Sequence, residues 1–293
     1  MDLKDFKESR NVEDRRAAGA SFGRGMSLRS LMFLWPIIRM LLRTKFGWAI
    51  IAAGAFLYFS GYNPLQLISG GAPATHVDNK KDEQQAIMIK KVLASTEEIW
   101  SDVLRKYGMR YKKPVLVLYR GSTRSACGGA NAQMGPFYCP ADQKVYLDLG
   151  FFDELAHRHN APGDFAQAYV LAHEIGHHVQ NLQGTLAKVQ QLQQRFGGQG
   201  KRANALQVRV ELQADCYSGV WAHYAQKKFH ILEPGDISEA LNAASSIGDD
   251  KLQKESQGYV VPDAFTHGSS AQRVEWFKRG FLSGDLRSCN TFQ

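Results

Sequence analysis

The sequence predicts an α+β fold, mainly helical with a small β-sheet, preceded by one transmembrane helix. Three observations lead there. Beyond residue 83, apolar side chains recur mostly at helical spacing. Two short β-type runs stand early in that region, at 114–119 and 144–149. One long uncharged apolar stretch lies before residue 70. The composition, 44% hydrophobic and 22% charged, is that of an ordinary folded protein, and 293 residues hold one domain of usual size plus extra segments.

Residues 1–45 read as a basic cytoplasmic tail. They carry ten Lys or Arg against five Asp or Glu, which supplies +5 of the net +8. Their first 25 residues show no apolar periodicity and read as mobile. The remainder is only mildly basic, which argues against a nucleic-acid partner. Leu31 to Leu42, broken by Pro36 and Arg39, suits a membrane interface rather than a span. Residues 46–68 read as the transmembrane helix: Phe46 to Tyr62 is uncharged, with Trp48, Tyr58 and Tyr62 towards its ends. Arg39, Arg43 and Lys45 flank it, so the positive-inside rule puts the N-terminus in the cytoplasm. The main domain would then lie outside an inner membrane, in a periplasmic or other extracytoplasmic space. Residues 69–82, with Gly70, Gly71 and Pro73, form the linker.

The main domain is 83–293. Ile89, Val92, Ile99, Val103 and Tyr107 mark a one-faced helix over 83–107. Pro114–Tyr119 is a short β-type run, 121–135 reads as a loop, and Lys144–Leu149 alternates as a strand. A short helix starts near Phe151, and a longer one spans 165–183, stopped by Gly184. Residues 190–202 are Gln- and Gly-rich and end in a loop. Helices follow at 204–228, 237–247 and 270–282. The four cysteines, Cys127, Cys139, Cys216 and Cys289, suit disulfides outside the cytoplasm or free buried thiols inside it, and spacing alone leaves both open.

The chemistry concentrates in His173-Glu174-Ile175-Gly176-His177. Residues four apart on a helix share a face, so His173 and His177 can grip one metal ion. Glu174 lies about 100° round the helix, where it can face a metal-bound water and act as base. An open zinc site takes three protein ligands, and Glu211 is the best third candidate. Asp215, four residues on, would accept the outer N–H of a liganding histidine; the reverse assignment of the two carboxylates stays open. His178 points away from His177 and reads as a supporting residue.

H-E-I-G-H, then E-L-Q-A-D, then Thr266-His267 with Arg273 resembles the gluzincin metallopeptidases. Gly135-Pro-Phe-Tyr-Cys-Pro140 followed by Val145-Tyr-Leu-Asp-Leu149 is closer still to the bacterial neutral zinc metallopeptidase family. The resemblance implies a zincin-like domain with one Zn2+ per chain on His173, His177 and Glu211. It implies Glu174 as general base, Asp215 orienting a histidine, and His267 and Arg273 stabilising the oxyanion. It also implies the disulfides Cys127–Cys139 and Cys216–Cys289, and a Val145–Leu149 edge strand that receives an extended peptide. In the larger gluzincins Pro follows the equivalent of His267; here Gly268 does.

The expected function is therefore hydrolysis of peptide bonds in a peptide or protein substrate. The alternatives are a membrane-tethered zinc protein that binds without catalysis, or a metal-dependent amidase acting on cell-wall material. Glu174 and an open coordination position favour catalysis, because a structural zinc needs neither.

Overall fold

The structure, a computed structural model, describes residues 1–17, 79–131 and 134–292. Residues 1–17 and 79–292 belong to one folded unit. Its elements are β1 (Val12–Asp14), α1 (Asn79–Lys106), β2 (Val115–Tyr119), β3 (Ser122–Ser125), β4 (Gly128–Asn131), β5 (Phe137–Cys139) and β6 (Lys144–Asp148), then α2 (Leu149–His157), α3 (Asp164–Leu182), α4 (Thr185–Arg195), α5 (Lys201–Phe229), α6 (Asp236–Ser246), α7 (Asp249–Gln257) and α8 (Ser270–Ser283). Short 3-10 turns lie at Pro262–Ala264 and Leu286–Cys289. The mainly helical domain with a small sheet agrees with the expectation.

The membrane reading does not. The expected span at 46–68 lies outside the described residues, and among those described no helix is long and apolar enough to cross a membrane. The expected tail also behaves differently at its start. β1 pairs in parallel with β2, Val12 opposite Leu116, and Leu3 is buried against the core. The Met1 ammonium contacts Asp164 at 3.1 Å and Asp236 at 3.4 Å. A single crossing at 46–68 would put β1 and β2 on opposite sides of a bilayer, which their hydrogen bonding forbids. The single-pass inner-membrane arrangement, with a cytoplasmic tail and a domain outside, is therefore withdrawn. Charge flanking an apolar run reads only local preference, and strand pairing overrides it.

The sheet order is β1-β2-β6-β5, with β6 parallel to β2 and antiparallel to β5. β6 thus lies inside the sheet and cannot be the edge expected of Val145–Leu149. The edge is β5, three residues in the segment just before it, with Phe137 opposite Tyr146. A separate hairpin, β3–β4, occupies what reads as loop. Four residues per strand are too few for alternation to reveal them.

Helix α3 runs through the centre and packs on α1, α5 and α6. Phe165 stacks on Trp221 and Tyr169 meets Phe277 edge-on, all four rings fully buried. Two glycine contacts set the helix spacing. A Cβ on Gly176 would stand 3.0 Å from the Ala214 carbonyl, so α3 and α5 meet backbone to backbone at the motif. One on Gly280 would overlap the Cys216 carbonyl at 1.9 Å, so only glycine lets α8 lie on α5. Both disulfides form: Cys127–Cys139 closes the segment leading into β5, and Cys216–Cys289 pins the C-terminal turn to α5.

Candidate metal centre

α3 supplies His173, Glu174 and His177, and α5 supplies Glu211 and Asp215. The Gly176–Ala214 contact brings the two helices close enough for these side chains to meet. One ligand atom each from His173, His177 and Glu211 falls within 4.8 Å of the others. Glu211 Oε2 is 3.2 Å from His173 Nε2 and 3.4 Å from His177 Nε2.

The outer nitrogens settle the tautomers. His173 Nδ1 donates to Asp215 Oδ1 at 2.8 Å, and His177 Nδ1 donates to Gln180 Oε1 at 2.9 Å. With both Nδ1 atoms carrying hydrogen, each ring in its neutral form turns an Nε2 lone pair on the Glu211 carboxylate. Three acceptors that face one another call for a cation between them, and two imidazoles with one carboxylate are a donor set suited to zinc. Burial alone would lower the pKa of His173, but Asp215 and Glu211 hold it up at about 10. Burial likewise works against a charged His177, and Glu211 overcomes it to raise that pKa. Burial pushes the Glu211 carboxyl up, yet His177 and His173 pull it well below the usual range. The pocket thus attracts positive charge strongly, whether proton or metal.

The remaining oxygens are also held. Gln207 Nε2 donates to Glu211 Oε1 at 2.9 Å. Asp215, fully buried, accepts from His173, from the Tyr169 hydroxyl at 2.5 Å, and from Arg273 through Nε at 2.9 Å and Nη2 at 3.0 Å. Burial disfavours its charge, but Arg273 and His173 bring the carboxyl down to about 2.

The three expected ligands and Asp215 therefore come together, with Asp215 behind His173 rather than beside the ligand atoms. Glu174 is adjacent, mostly buried, and lines the same cleft of about 1390 Å3. His267 also lines it, with its side chain half exposed and Nδ1 3.2 Å from Asp249 Oδ1. The Asp249 hydrogen bond, together with the Glu211 charge, raises the His267 pKa against burial. Arg273 is 2% exposed and spends four hydrogen bonds on Asp215, Tyr169 and the Ile247 carbonyl.

Sequence reasoning did not find Gln180, Gln207, Tyr169 or Asp249. Gln180 and Gln207 had a readable signal, since they stand three after His177 and four before Glu211 on the same helices. Asp249 had none, because it acts across a loop on the backbone N–H groups of Thr266, His267 and Gly268.

A second acidic group, Asp164, Asp236 and Glu239, also clusters tightly. The Met1 ammonium already supplies its cation.

Comparison with known proteins gives the chain a family. The family model described as "Putative neutral zinc metallopeptidase" matches residues 1–292. The chain belongs to that family. The match to the neutral zinc metallopeptidase family takes in β1 as well as the helical part of the domain. Among relatives, "Uncharacterized protein YpfJ" of Escherichia coli (strain K12) is 47% identical over 289 residues, covering 98% of this chain and 96% of the relative. "Uncharacterized protein Rv2575" of Mycobacterium tuberculosis (strain ATCC 25618 / H37Rv) is 43% identical over 208 residues, 68% of this chain and 67% of the relative. No solved structure matches the chain significantly. Membership of the family implies zinc and a hydrolase.

Proposed function

We propose that this chain hydrolyses peptide bonds at the His173–His177–Glu211 centre with one zinc ion. The carrying observation is the convergence of two imidazole lone pairs and a carboxylate on one point in a cleft that also holds Glu174. Zinc bound there would act as a Lewis acid on the scissile carbonyl and lower the pKa of the attacking water to about 7. Glu174, on the same cleft, would serve as the base that accepts a proton from the attacking water and returns it to the leaving amine. His267 faces the cleft and donates a hydrogen bond to the oxyanion as it develops, oriented by Asp249.

Arg273 acts differently from His267. Its hydrogen bonds lock Asp215, and through it the His173 ring, so it positions a ligand rather than touching substrate. Among the described residues β5 has a free edge, it runs along the cleft that Phe137 and Tyr138 line, and an extended peptide can pair with it there.

The test combines zinc analysis of purified protein with a quenched peptide library, using native protein and Glu174→Gln. One zinc per chain in both, with hydrolysis only by native protein, is the expected result. Zinc well below one per chain would sink the metal site. Equal activity in the two would remove Glu174 as base, and binding without hydrolysis would favour the scaffold alternative.

A further inference from the structure

The third residue after His177 is Gln180, fully buried on α3. Its Oε1 is 2.9 Å from His177 Nδ1. Its Nε2 donates to the Val210 carbonyl at 2.7 Å and to Gln213 Oε1 at 3.0 Å. Gln213 Nε2 in turn donates to the Cys289 carbonyl at 3.1 Å. Backbone carbonyls can only accept, so Val210 and Cys289 decide which end of each amide points where. Gln213 must turn its oxygen to Gln180, and Gln180 must turn its oxygen to His177. His177 Nδ1 must then carry the hydrogen, which leaves the lone pair on Nε2, 3.4 Å from Glu211 Oε2.

We propose that Gln180 is the positioning residue of His177. It selects the Nδ1–H tautomer and holds the ring in its ligand orientation, and Gln213, anchored on the Cys289 carbonyl, holds Gln180. The inference rests on the zinc reading above. The two histidines are then supported unequally. His173 leans on the buried anion Asp215, whereas His177 leans on a neutral amide whose far end is the disulfide-bonded C-terminal turn. A neutral partner orients the ring without adding a further buried carboxylate to a site that already has Glu211 and Asp215.

Zinc affinity measures this directly. Full-length protein is loaded with zinc and titrated with a competing chelator. Gln180→Met keeps the bulk and removes the acceptor; its affinity is expected to fall about 10–100-fold, the usual cost of losing a partner of a liganding histidine. Gln213→Met is expected to fall by less. Native affinity in Gln180→Met overturns the proposal. A second measurement needs no variant: nitrogen-15 histidine spectra of zinc-loaded native protein should show His177 bound through Nε2 with a slowly exchanging Nδ1 proton. Zinc on His177 Nδ1 would overturn the relay while leaving the metal reading intact. A native protein that takes up no zinc would overturn the metal reading itself.

Discussion

Asp215 and Arg273 meet across the α5–α8 contact through two hydrogen bonds, Nε to Oδ2 at 2.9 Å and Nη2 to Oδ1 at 3.0 Å. Both side chains are almost fully buried, so neither charge has water to fall back on. Removing one partner of such a pair leaves the other buried and uncompensated. Arg273→Met is expected to cost about 3–5 kcal/mol of stability, read from urea unfolding. Zinc affinity should fall with it, because Asp215 holds His173. Unchanged stability would show that water or another group reaches Asp215.

Glu174 is the cleanest separation of chemistry from binding. Glu174→Gln keeps the shape and leaves all three ligand residues in place. The expected result is a fall in kcat of about 10²–10⁴-fold with zinc content and KM near native, measured by steady-state hydrolysis of a quenched peptide. A fall in zinc content instead would place Glu174 among the ligands.

The site was more legible in the sequence than its surroundings, and the reason is geometric. His173, Glu174 and His177 sit within about one turn of one helix, and Glu211 with Asp215 within about one turn of another, so helical spacing alone groups them. What joins the two groups is the Gly176–Ala214 approach, a tertiary contact that no spacing encodes. The long helices were visible for the same reason, their starts and stops falling within a few residues of the expected ones. β1 and β5 were not, since each has three residues and draws its stability from a distant partner. The membrane reading failed there too: the pairing of Val12 with Leu116 joins segments far apart in sequence, and charge flanking residues 46–68 carries no information about it.

His267 supplies the pH dependence that can be checked. Its pKa is raised, first by the Asp249 hydrogen bond. The folded protein therefore holds this proton more tightly than the unfolded chain. The resulting stability is fully present below about pH 6.5, the ordinary histidine value, and is lost as pH rises through the raised folded value. Asp249→Asn removes the main cause, so the basic limb of a stability–pH profile should move to lower pH. His267→Ala should lower kcat by about 10²–10³-fold at a pH where native His267 is protonated, with zinc retained. A profile identical to native in Asp249→Asn would show that the pair does not form.

The two disulfides should separate stability from substrate binding. Cys216–Cys289 closes a loop with a sequence separation of 73, and its loss by double serine substitution is expected to cost about 4 kcal/mol. It also carries the carbonyl on which Gln213 rests, so zinc affinity should weaken with it. Cys127–Cys139 spans 12 residues, worth about 3 kcal/mol, and closes the segment that holds Gly135, Phe137 and Tyr138 in the cleft wall. Its loss should raise KM while zinc stays bound. Equal effects of the two on zinc affinity would contradict this division.

His178 explains how the cleft wall is tied to the metal helix. Its Nε2 donates to the Lys112 carbonyl at 2.6 Å, which leaves Nδ1 to accept from the Tyr138 hydroxyl at 3.0 Å. Asn181 donates to the same hydroxyl at 2.9 Å, so β5 hangs from α3 by one tyrosine. Burial pushes the His178 pKa down to about 4. The unfolded chain therefore binds this proton more readily than the folded one. The stability from neutral His178 is present above about pH 6.5 and is lost as pH falls towards 4, by about 3 kcal/mol at most. His178→Gln can make both hydrogen bonds without titrating. Its unfolding free energy should match native near pH 7 and exceed it increasingly below pH 6, as followed by denaturant titration across that range. Parallel acid limbs in the two proteins would mean that other groups govern the loss. Tyr138→Phe, which cuts the tether without altering charge, should raise KM at every pH and leave zinc affinity where it was.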